Sequence, residues 1–145
     1  MLILKTLLLS LLSFSALAKD VVNTTYLGNL AVEGYDVVSY FEENQAVKGS
    51  KELTFKYKGA NWRFSKTENL EKFKSNPEKY EPQYGGYCAY AMAKGSKAGI
   101  DPKAFKIVDG KLFLNYDSSI QAKWEAGMTD FIVSADKKWN QLIKK

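Results

Sequence analysis

Residues 105–114 read FKIVDGKLFL, and this stretch decides the fold class. Phe105-Lys106-Ile107-Val108 and Leu112-Phe113-Leu114 are two β-prone runs. They are joined across Asp109-Gly110, a dipeptide that suits the positive φ angles of a two-residue hairpin turn. A second segment upstream repeats the pattern. Leu53-Thr54-Phe55-Lys56-Tyr57 alternates apolar and polar, and after Lys58-Gly59-Ala60-Asn61 the alternation resumes in Trp62-Arg63-Phe64. That spacing gives a hairpin with one wet face and with Phe55, Tyr57, Trp62 and Phe64 packed inward.

Outward from the hairpins, the periodicity changes to that of helices. Ser65 or Thr67 is placed to cap a helix carrying Leu70 and Phe73, which Pro77 ends. Residues 78–83 cross a surface. Tyr84-Gly85-Gly86 leads into an alanine-rich helix over 87–94 that Gly95 terminates. Ser119–Ala126 carries Trp124, and Thr129–Lys144 carries Phe131, Ile132, Ala135, Trp139 and Ile143 at helical spacing, where the tryptophans read as core residues. Before the hairpins, 19–30 is short and extended. Residues 31–41, AVEGYDVVSYF, give a strand, a turn at Gly34, and a segment directing Val37, Val38, Tyr40 and Phe41 inward. The expected architecture is α+β: two hairpins in one small antiparallel sheet packed against several helices, in a single domain without repeats or a long linker.

The first eighteen residues, MLILKTLLLSLLSFSALA, read as a signal peptide. Lys5 forms the basic region, Thr6 to Phe14 the apolar region, and Ala16-Leu17-Ala18 the cleavage site. An uncleaved anchor is the rival reading, but the apolar run is short for a span and ends at Lys19-Asp20. Residues 19–145 then form the exported domain, periplasmic or secreted, with no membrane span after cleavage. No cysteine follows the leader, so the bacterial lipoprotein route is closed.

Composition narrows the chemistry. The 145 residues include no histidine and one cysteine, Cys88. Catalytic triads, Cys-His nucleophiles, His-ligated zinc or haem and intramolecular disulfides are thereby excluded. The net charge is +5, or +4 without Lys5, and Arg63 is the only arginine. A lysine-rich surface with one arginine lacks the bidentate groups suited to phosphate and base edges, so no nucleic-acid partner is expected.

Four kinds of residue remain as candidates. Cys88 and Met92 lie one helical turn apart on a shared face, a thiolate and a thioether of the softness that favours Cu(I). A free cysteine and a methionine in a small helix are also ordinary core filling. Asp36, Asp101 and Asp109 sit in turns, where each has a capping or turn role available and where convergence would allow acid–base work. The tyrosines of the first two thirds, Tyr35, Tyr84 and Tyr87 among them, suit a partly polar pocket wall. Tyr35, Asp36, Tyr84 and Tyr87 are accordingly the candidate ligand-binding residues, and Cys88 with Met92 the candidate metal site.

Several of these segments together resemble a known family. Ala31 to Phe41, Ala46-Val47-Lys48-Gly49-Ser50, Trp62-Arg63-Phe64, Asn69, Phe73 to Pro77, Tyr80, Tyr84-Gly85-Gly86-Tyr87-Cys88-Ala89, Asp101-Pro102 and Asp109-Gly110-Lys111-Leu112 look like exported YHS domain proteins. Val37 stands where that pattern often has proline, and the Tyr-His-Ser pattern behind the family name is absent. The resemblance implies a small α+β domain related to metal-handling domains found beside copper and heavy-metal transporters, with Cys88 alone matching a ligand cysteine. The expectation is a non-enzymatic exported binding module for a soft metal ion such as copper. The alternative is a structural or protein-interaction domain with a buried, inert cysteine and no metal, its partner protein unidentified. A third reading, an enzyme, requires that at least two of the three aspartates meet.

Overall fold

The structure, a computed structural model, describes residues 21–145; the signal peptide assigned to residues 1–18 lies outside the described residues, as do Lys19 and Asp20. In chain order come helix α1 (Val37–Glu42), strands β1 (Ser50–Tyr57) and β2 (Ala60–Phe64), and helices α2 (Thr67–Ser75), α3 (Pro77–Tyr80) and α4 (Ala89–Ala93). Strands β3 (Asp101–Val108) and β4 (Lys111–Asn115) follow, then helices α5 (Ser118–Ala126) and α6 (Met128–Ile143). The result is a single α+β domain. No described helix is long and apolar enough to cross a membrane.

Both hairpins form where the sequence places them. Lys58 and Gly59 take φ of 48° and 73°, and Asp109 and Gly110 take 51° and 74°; paired positive values let the tight turn follow the twist of its strands. The hairpins do not merge into one sheet. β1 pairs with β2 and β3 with β4 as two separate antiparallel sheets, each with a register shift near its open end. Past Lys111, β4 has no wet face. Leu112 and Leu114 enter one core with Trp62, Phe64, Phe73 and Tyr40, while Phe113, pointing the other way, enters a second with Met92, Trp124 and Ala135. Buried on both faces, β4 is a partition between two cores. An isolated bridge, Pro82 to Leu112, carries the chain after α3 onto this partition.

The helices differ from expectation at their ends. Lys66, not Ser65 or Thr67, occupies the position before α2 and makes no side-chain cap bond, since an ammonium cannot accept from the first-turn amides; the Ser65 hydroxyl donates to Asp36. Pro77 both follows α2 and opens the one-turn helix α3, where its missing N–H is not needed. The alanine-rich helix is shorter than 87–94. Tyr87 is extended and Cys88 stands at the N-cap of α4, because Tyr84, Gly85 and Gly86 all take positive φ and form a separate turn. Gly85 is required there: a Cβ would collide with the Val21 carbonyl.

Candidate functional site

Cys88 is 1% exposed and Met92 is fully buried. The Cys88 Sγ donates to Asn115 Oδ1 at 3.6 Å, and the Tyr90 amide donates to the same oxygen at 3.1 Å. A backbone N–H can only donate, so it fixes which end of the Asn115 amide is the carbonyl. The sulfur facing that carbonyl is then the donor. Asn115 Nδ2 is buried without a hydrogen-bond partner among the described residues. Met92 follows one turn later, its amide donating to the Cys88 carbonyl at 3.0 Å, and α4 packs against α6. Among the described residues no group of three His, Cys, Asp or Glu side chains could hold a metal ion.

Tyr35 and Asp36 lie on the other side of the partition. Asp36 is fully buried. Its Oδ1 accepts from the amides of Val38 (2.9 Å) and Ser39 (3.3 Å), capping α1. Its Oδ2 accepts from the Ser65 amide (2.8 Å), the Ser65 hydroxyl (2.7 Å) and Asn69 Nδ2 (2.9 Å). Five donors leave this carboxylate little capacity for a ligand; it ties α1 to the start of α2. Asp101 opens β3, where it caps its own turn through the Lys103 amide. Asp109 lies at the far hairpin tip, eight residues along the strand and on the order of 25 Å away. The convergence that an aspartate-based enzyme would need does not occur between these two.

Tyr84 and Tyr87 are placed differently. Tyr84 is 3% exposed, and its hydroxyl donates to Asp136 Oδ1 at 2.8 Å; burial, followed by this bond to a carboxylate, pushes its ionisation well above the usual tyrosine range. Its ring stands 6.4 Å from that of Trp139, and the Tyr87 ring 6.3 Å from the same indole. The Tyr84–Trp139 pair forms one wall of a cleft of about 380 Å³. The lining also includes the Lys58–Glu81 ion pair (3.0 Å), Glu78, Val21 and Val22. The amide of Asn23 donates to the Gly85 carbonyl at 2.8 Å and pins the valines to the 83–86 turn. A volume of this size, with aromatic walls and a few polar groups, is typical of small-molecule sites.

Of the six candidate residues, then, Tyr84 alone lines the cleft. Tyr87 stacks behind it on Trp139, Cys88 and Met92 are sealed beneath α6 and β4, and Tyr35 and Asp36 belong to the first core. Sequence reasoning missed Lys58, Glu78, Glu81, Asp136 and Trp139. Trp139 reads as core because its spacing is that of the buried face, yet it stands at the edge of that face and is partly exposed. The acids come from α3, the residue after it, and α6, which no local pattern connects. No protein-family model matches the chain, and no curated protein or solved structure is similar to it. The resemblance to exported YHS domain proteins therefore rests on the quoted residues alone.

Proposed function

We propose that this protein is a non-enzymatic, exported binding module whose small-molecule ligand enters the cleft between the 83–86 turn and α6. In this reading Cys88 and Met92 serve the fold. One contrast carries it: the cleft is open and lined by unlike groups, whereas the only thiol is buried and already donates its proton to an internal carbonyl. A soft metal at Cys88 would require removing that proton and breaking the bond to Asn115.

The reading is tested by amide chemical-shift mapping with a set of small neutral, cationic and anionic aromatic fragments, and separately with Cu(I) under reducing conditions. Fragment shifts are expected to gather at Val21, Gly85, Asp136 and Trp139, and no stoichiometric Cu(I) uptake is expected. Tight one-to-one Cu(I) binding that Cys88→Ser abolishes would overturn this assignment in favour of the soft-metal module. Fragment shifts scattered over the surface would remove the cleft from consideration.

A further inference from the structure

We infer that the cleft selects an organic ammonium ion: a small free amine with an apolar or aromatic body. This deepens the proposed function and rests on it. Among the described residues the charged groups lining the cleft are Glu78, Glu81, Asp136 and Lys58, so these groups carry a formal excess of two negative charges in a chain whose net charge is +5. Lys58 does not act as an independent cation, because its ammonium is held by Glu81 at 3.0 and 3.4 Å on the two oxygens. Asp136 has a different position. Its Oδ1 is fixed by the Tyr84 hydroxyl, and an ionised carboxylate offers about four acceptor sites, so one bond orients it without filling it. Trp139, partly exposed on the same wall three residues further along α6, supplies the aromatic surface that attracts cations and also covers an apolar body. A carboxylate oriented by a phenol beside a tryptophan suits the N–H donors of an ammonium group. An anion would meet Glu78, Glu81 and Asp136 together. A concave volume of about 380 Å³ suits a free amine better than a folded partner's surface.

Three probes of nearly equal size separate charge from shape: 2-phenylethylamine, 2-phenylethanol and phenylacetate, each titrated into the purified protein by calorimetry or chemical shift. The amine is expected to bind at least about tenfold more tightly than the alcohol, with the carboxylate weakest and the amine's affinity falling as salt is raised. Asp136→Asn should remove about tenfold of the amine's affinity and leave the alcohol's unchanged. Glu78→Gln, at an exposed position where folding is not at stake, should cost about two- to threefold through long-range charge alone. If the alcohol or the carboxylate binds as well as the amine, the ligand class is wrong while the cleft remains a binding site. If none of the three binds, both readings fail. Tighter binding of an acetyl-Gly-Lys-Gly-amide peptide than of the free amine would make the occupant a protein lysine and overturn the small-molecule assignment.

Discussion

Asp36 and Asp136 sit on opposite sides of the β4 partition, and their surroundings set their roles apart. Asp36 is fully buried and accepts five hydrogen bonds, from both ends of the segment it joins. Asp136 has one oxygen fixed by Tyr84 and lines an open cleft. A carboxylate whose lone pairs are all matched by amides and hydroxyls of its own chain is part of the framework. One that is oriented but unfilled can receive a cation from outside. The same distinction recurs within the half of the molecule that holds Asp136. The Cys88–Asn115 contact is closed on itself, and the wall formed by Tyr84, Asp136 and Trp139 is not.

The largest expected effect lies on the closed side. Asp36→Ala strands the amides of Val38, Ser39 and Ser65 and the Asn69 side chain, and should destabilise the fold by about 3–4 kcal/mol, the sum of a lost helix cap and several unpaired buried donors. Asp136→Asn retains an oxygen for the Tyr84 hydroxyl and should cost less than about 1 kcal/mol. Denaturant unfolding of both variants measures the difference. Equal losses would mean that Asp136 is as much a framework residue as Asp36, and the contrast between the two sides would disappear.

Next in size is the thiol. Labelling of Cys88 by a thiol reagent should be slow in native buffer and at least about a thousandfold faster in denaturant, since the sulfur is reached only when the structure opens. Asn115→Ala removes the acceptor of both the Cys88 thiol and the Tyr90 amide, an effect partly offset because the unpaired Nδ2 is removed with it. The net cost should be about 2 kcal/mol, and native-state labelling should accelerate by about thirtyfold to match. Labelling that is fast in native protein and unchanged in the variant would show Cys88 to be open to solvent, on the accessible side of the comparison.

What the sequence discloses follows the range of each interaction. The hairpins are legible because their turns are encoded in adjacent residues, Lys58-Gly59 and Asp109-Gly110, and α6 because its apolar stripe repeats every turn. The capping role of Asp36 is legible for the same reason, its first two partners being two and three residues away. Its link to Ser65 and Asn69 is not, since those donors lie about thirty residues further on. The division into two sheets escapes a local reading because which strands pair is decided between residues far apart in sequence. The cleft escapes it for a similar reason. Lys58, Glu81 and Asp136 meet only after α3 and α6 have been placed, and each alone reads as an ordinary surface charge.

The smallest effect, at the rim of the cleft, tests whether its charges act on their surroundings. Burial, and then the Glu81 carboxylate beside it, pushes Tyr57 up to about 12. A phenol whose ionisation is harder in the folded state stabilises that state while it stays protonated. Its contribution is therefore complete below the ordinary tyrosine range near 10, and is lost as pH rises from about 10 to 12. Glu81→Gln removes the charge but not the burial, so it should lower the Tyr57 ionisation only part of the way. It should also make the alkaline loss of stability smaller, ending at a slightly lower pH. Absorbance titration at the phenolate band, with Tyr57→Phe identifying the responsible ring among the nine tyrosines, resolves this shift. No change in Glu81→Gln would mean that Lys58 already neutralises Glu81 completely. The cleft's negative character would then rest on Asp136 and Glu78, which narrows the ammonium-binding wall to the α6 side.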